Sequence, residues 1–161
     1  MTQATTLAFY KGTHAAEDRL IQWWTKGPYS HCEVVIDGYS YSSSARDGGV
    51  RRKRIVYNPK HWDFVQVNLD QLACLQWFAA HDGQKYDYLG VLGFVLPYQI
   101  GQTDRWFCSE ALAVVLGLSA QPLVSPSALF MQLFMHERLA AVFLHHGHVS
   151  QTSSPTTILF S

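Results

Sequence analysis

The sequence predicts an α+β domain in which a small antiparallel β-sheet packs on helices. Three observations predict it. Between residues 6 and 68, short runs of apolar and polar side chains alternate, as they do on strands with one buried face. Asp37-Gly38 and Asp47-Gly48-Gly49 punctuate those runs at hairpin spacing; the first is a strong signal, because a type I′ turn needs positive φ at both central residues. Beyond residue 70 the apolar period lengthens to that of helices.

The elements follow in order. Residues 6–12, TLAFYKG, read as a strand, and 15–24, AAEDRLIQWW, as a helix whose apolar face is Leu20, Ile21, Trp23 and Trp24. Thr25 to Pro28 end it. In the next strand His31, Glu33 and Val35 point one way and Cys32, Val34 and Ile36 the other. YSYSSS returns from the turn, and VRRKRIVYN, residues 50–58, continues the meander. WDFVQVN, 62–68, adds a strand, and Leu72, Leu75, Phe78 and Ala79 set a helix over 70–82 that Asp70 can cap. YDYLGVLGFVL, 86–96, reads as a loose buried helix. CSEALAVVLGL, 108–118, is a short helix starting at the cysteine, and SPSALFMQLFMHERL starts one with Ser125 as N-cap and Pro126 at the first helical position. The tail from residue 144 has no clear period.

At 161 residues the chain is one domain, residues 1–161, long enough to bury a core without cross-links. It is 48% hydrophobic, 14% aromatic and 15% charged, a globular composition that suggests neither disorder nor an integral membrane segment. The formal net charge is zero, so no global field advertises nucleic acid or another polyanion as a partner. No charged-then-apolar leader precedes the first strand, which sets the expectation of a cytoplasmic protein, or of a phage-associated one with another exit route.

Three cysteines, Cys32, Cys74 and Cys108, lack the spacing of a disulfide framework or a four-cysteine zinc site. Cys32 faces Val34 and Ile36, so it reads as core, and strand alternation keeps it from sharing a site with His31. Cys74, on an amphipathic helix, reads as core too. Cys108 differs. It opens a helix, where free N–H groups and the helix dipole favour a thiolate and can receive an oxyanion. A thiol nucleophile there needs a base near in space, and His31, at a strand start on the face away from the aliphatic residues, can supply one.

The segments YSHCEVVIDG, preceded by QWWTKGP and followed by YDYLG, RWFCSEAL and VSPSAL, resemble the circularly permuted, papain-like NlpC-type cysteine hydrolases of the YiiX kind. These are relatives of the lecithin retinol acyltransferase group. The likeness covers most of residues 6–130, with the histidine strand before the cysteine helix. It implies a hydrolase of peptide, isopeptide or acyl-lipid substrates, or an acyltransferase, with Cys108 as nucleophile and His31 as general base. It implies no cofactor and no metal. It also implies a third polar group, from the strand after the hairpin, that orients the base. With a two-residue turn at 37–38, pairs sum to 75 and put Ser42 opposite Glu33. Ser42 therefore holds the third position, and Glu33, on the face of His31, can substitute for it.

The Cys108 N–H, with the hydroxyl of Tyr86 or Tyr88, is a candidate oxyanion holder; packing alone explains both tyrosines equally well. Trp106, two residues before the thiol, is a candidate cleft wall, while Trp23, Trp24, Trp62 and Trp77 read as core. Glu110 complements the helix start. RRKR, 51–54, reads as a solvated edge strand and HHGH, 145–148, as surface or loop. Two rivals are a binding or structural module with a weakened site, suggested by a serine in the third position, and a metal-binding protein using His31, Cys108 and the terminal histidines.

Overall fold

A computed structural model describes residues 2–88, 105–118, 124–135 and 139–143. The strands are β1 (Thr2–Tyr10), β2 (His31–Ile36), β3 (Tyr39–Ser44), β4 (Gly49–Lys53), β5 (Trp62–Asp70), β6 (Lys85–Tyr86), β7 (Arg105–Trp106) and β8 (Leu139–Phe143). The helices are α1 (Ala16–Thr25), α2 (Gln71–Ala80), α3 (Cys108–Val115) and α4 (Pro126–Met135). The strands form one sheet in the order β7-β6-β4-β3-β2-β1-β5-β8. The α+β class stands, but the sheet is larger than expected. Short β6, β7 and β8 join it, and β6–β7 is a parallel pair. Two- and five-residue strands within helical or irregular sequence are set by their neighbours, so periodicity does not reveal them.

The central hairpin follows the turn chemistry. Asp37 and Gly38 have φ of 50° and 73°, and the register pairs Val34 with Tyr41 and Ile36 with Tyr39. The second turn ends in a close approach: a Cβ on Gly49 would lie 1.9 Å from the Gln84 carbonyl oxygen, so only glycine lets β6 dock there. β1 starts four residues earlier than the alternation implies, because Thr2 to Thr5 pair with Val67 to Asp70 at the end of β5.

The register puts Leu7, Phe9, Cys32 and Val34 on one face of the sheet and Ala8, Tyr10, His31 and Glu33 on the other. Leu7, Phe9, Cys32, Val34 and Val65 are fully buried in one core with Leu112, Leu129 and Leu133 of α3 and α4. A smaller cluster on the second face joins Ala8, Tyr10 and Trp62. The Asp70 side chain accepts the Ala73 N–H at 3.2 Å, so α2 is capped as its sequence predicts.

α1 departs from expectation. Only Ile21 and Asp18 are buried; Leu20, Trp24 and Trp23 are exposed, the last at 71%. One turn of a helix buries a stripe, and here that stripe is drawn to the site side by Asp18, which binds Ser30, Arg46 and the Ala15 N–H. RRKR also departs. Arg51 turns inward, while Arg52 and Arg54 lie over the Tyr39 ring. The helix read at 86–96 lies, after Tyr88, outside the described residues, as do the tail and HHGH. Among the described residues no helix is long and apolar enough to cross a membrane.

Candidate active site

Cys108 is the first residue of α3, and its position is pinned from both sides. Ahead of it, the Ser43 hydroxyl donates to the Trp106 carbonyl at 2.7 Å. Behind it, the Ser109 hydroxyl donates to the Val124 carbonyl. The Phe107 N–H donates to the Glu110 carboxylate at 3.1 Å, which places a negative charge in the first helical turn as the sequence suggests.

The ladder between β2 and β3 stops at Val34–Tyr41, and α3 packs against both strands. Two main-chain groups of Cys32 are thereby released from the ladder. Its carbonyl accepts the Ser42 hydroxyl at 2.7 Å, and its N–H is directed at the Cys108 sulfur. A strand N–H lies in the plane of the sheet, so the sulfur that receives it lies near that plane. It can be reached from both faces there. Cys32 hydrogen-bonds it from one side and His31 from the other. Cys32 is thus the core residue its sequence suggests, 0% exposed, but it does share a site with His31. Strand alternation separates side chains above and below the sheet; it does not separate them from a group in its plane.

His31 Nε2 is 2.9 Å from Glu33 Oε1, which leaves Nδ1 for the sulfur. Glu33, 1% exposed, also accepts from Arg51 at 2.6 Å and from the Tyr57 hydroxyl at 3.1 Å. Arg51 is held in turn by Asp47 at 2.8 Å, and Lys53 binds Asp47 at 2.7 Å. The third group beside the histidine is therefore Glu33. Ser42 is buried and spent on the Cys32 carbonyl, so the geometry does not bring it to His31.

The electrostatics follow from these contacts. Burial works against a Cys108 thiolate, but the Cys32 thiol, the His31 charge and hydrogen bond, and the Cys32 N–H together pull its pKa down to about 5. Burial would lower the His31 pKa; the Cys108 sulfur, and then Glu33, outweigh it and raise it to about 9. Burial also opposes the Glu33 charge, yet His31 and Arg51 hold it at about 2. Cys74 is pushed up by burial to about 12, and burial drives Cys32 well above its ordinary value. The three thiols are free, and one is arranged to ionise.

A cleft of about 360 Å³ opens over this cluster, lined by His31, Glu33, Tyr86, Trp62, Asp18 and Arg46 among others. Tyr86 is 3% exposed, and burial and the Cys108 charge both keep its phenol protonated, as an oxyanion donor requires. Tyr88 is turned away, 54% exposed with its hydroxyl on the Ala45 carbonyl at 2.8 Å. Trp106 is also elsewhere: its Nε1 donates to Gln84 and its ring packs on Trp77 and His81. The wall residue is instead Trp62, whose ring centroid is 6.4 Å from that of His31. Arg51, Tyr57 and Trp62 are the residues that sequence reasoning misses. For Arg51 the second turn held the signal, since its register sets Arg51 opposite Ser42, one strand beyond Glu33.

Among the described residues no group of three or more His, Cys, Asp and Glu side chains is placed to hold a metal ion. A scan against protein-family models and a search of curated proteins each return no match to this chain.

Proposed function

We propose that this chain is a thiol hydrolase of the permuted papain-like, NlpC-type kind, cleaving an amide or ester acyl bond with Cys108 as nucleophile and His31 as base. The observation that carries the reading is the Cys108 sulfur, held at a helix N-terminus against an imidazole that a buried carboxylate backs. That is the arrangement nucleophilic thiol chemistry needs.

The Cys108 thiolate attacks the substrate carbonyl carbon, and its oxygen takes the negative charge against the Cys108 N–H and the Tyr86 hydroxyl. The tetrahedral species collapses, and the His31 imidazolium gives its proton to the leaving amine or alcohol. Neutral His31 then takes a proton from water, which attacks the thioester and frees the acid and the thiol. An acceptor nucleophile in place of water makes the same site an acyltransferase. Glu33 keeps the ring oriented and stabilises its cationic form. Peptide, isopeptide and acyl-lipid substrates all present the required carbonyl.

A binding module of the same fold is the second reading, favoured by one observation: Cys108 is 0% exposed while His31 above it reaches the cleft. Incubation with a p-nitrophenyl acyl ester, followed by peptide mass spectrometry, separates the two. The hydrolase reading expects p-nitrophenol release and an acyl adduct on Cys108 that His31→Ala does not form. An adduct only on Cys32 or Cys74, or none at all, leaves the binding module.

A further inference from the structure

Away from the thiol, the structure brings two imidazoles together by their tips. His14 lies in the loop leading into α1 and His61 immediately precedes β5. Their Nε2 atoms are 3.2 Å apart, and their rings meet edge to face with centroids 4.6 Å apart. The backbone on each side is fixed. The His61 N–H donates to the Asn58 carbonyl at 2.9 Å and its carbonyl accepts the Lys11 N–H at 2.8 Å. His14 precedes Ala15, whose N–H is held by Asp18 at 3.1 Å, and Gly12 two residues earlier accepts from Gln22 at 3.2 Å. The pair is exposed to water.

Two imidazole nitrogens at about 2.0–2.1 Å from one tetrahedral ion are separated by about 3.3–3.4 Å. The observed 3.2 Å lies within about 0.2 Å of that. A neutral pair can share one proton as N–H···N over the same distance, so an ion can take the proton's place with little ring movement. Imidazole donors favour Zn²⁺ and its neighbours over Mg²⁺ or Ca²⁺.

We propose that His14 and His61 form a two-imidazole site for a divalent transition metal of the Zn²⁺ class. Among the described residues no third His, Cys, Asp or Glu joins them, so water or an added donor completes the coordination. The site clasps the loop before α1 to the start of β5. Both segments lead directly into the cleft wall: Asp18, in the first turn of α1, lies four residues beyond His14, and Trp62, which follows His61, packs edge-on to His31. Metal binding would therefore fix the cleft wall beside His31. The site stands whether or not the thiol is catalytic.

The test is a titration of the full chain with Zn²⁺ against a fluorescent zinc indicator. Wild type, His14→Ala, His61→Ala, Cys108→Ser and the triple variant His145→Ala, His146→Ala, His148→Ala are compared. One saturable site is expected in wild type, in Cys108→Ser and in the triple variant. It should weaken at least about tenfold in each of the two single histidine variants. Zn²⁺ should raise the melting temperature of wild type but not of those two, whose metal-free melting temperatures check that they fold. No saturable binding overturns the proposal. So does binding lost only in Cys108→Ser, which assigns the ion to the cleft, or only in the triple variant, which assigns it to residues 145–148.

Discussion

Replacing His31 by alanine removes the charge and one of the hydrogen bonds that hold Cys108 near 5, while the burial that opposes them remains. The thiolate midpoint of His31→Ala is expected to climb by several units, toward the ordinary value of 9.0. At pH 7 a climb from about 5 to about 9 cuts the ionised fraction from ~99% to ~1%. An alkylation rate at one pH understates this. In thiol–disulfide exchange a more basic thiolate gains about 0.4–0.5 log units of reactivity per pKa unit, so much of the lost fraction is recovered as nucleophilicity. The midpoint is the quantity to measure, by the ultraviolet absorbance of the thiolate as pH rises. Because Cys74 is pushed up to about 12 and Cys32 well above its ordinary value, the earliest step belongs to Cys108 alone. One thiolate equivalent is expected around pH 5 in wild type, and none below about pH 8 in His31→Ala. A wild-type midpoint above about 8, or identical midpoints in the two proteins, would refute the ion pair.

Three further outcomes follow from the same geometry. Glu33→Gln leaves His31 and Arg51 without their carboxylate and should cost about 3–5 kcal/mol in urea unfolding, while the upper limb of the pH–activity profile falls from about 9 toward 6.5. Since Glu33 is held at about 2 against an ordinary 4.5, its contribution is present above 4.5 and is lost as pH falls through 2, so the variant should show a shallower acid slope. Ser42→Ala should lose about 1–2 kcal/mol through the uncapped Cys32 carbonyl and leave the thiolate midpoint unchanged, an outcome a catalytic serine would not give. Asp70→Ala should lower the unfolding midpoint in the same assay through its lost helix cap and leave the site's titration intact.

The sequence makes the local features legible because they depend on neighbours in the chain. Asp37-Gly38 determines its own turn, Asp70 its own cap, and Cys108 the first residue of its own helix, each as read. What is not legible depends on partners far along the chain. Glu33 rather than Ser42 serves His31 because the β2–β3 ladder ends early, and no residue type announces where a ladder ends. Trp23 and Trp24 read as core from their character alone, but Asp18 and Ile21 turn α1 the other way. Tyr57 reaches Glu33 from beyond Lys53, where β4 ends, although the sequence reads that strand as running on through residue 58.

The early end of the β2–β3 ladder has a temporal consequence. The groups that lower the Cys108 pKa come from residues 31 and 32, more than seventy positions earlier in the chain, so none acts on it before long-range contacts form. In the unfolded chain Cys108 is an ordinary thiol, ~1% ionised at pH 7, no more prone to oxidation or stray acylation than Cys32 or Cys74. Only once strand and helix have closed around it does the sulfur acquire its charge. The newly made protein carries its reactive group in a dormant form, and completion of folding is the step that arms it.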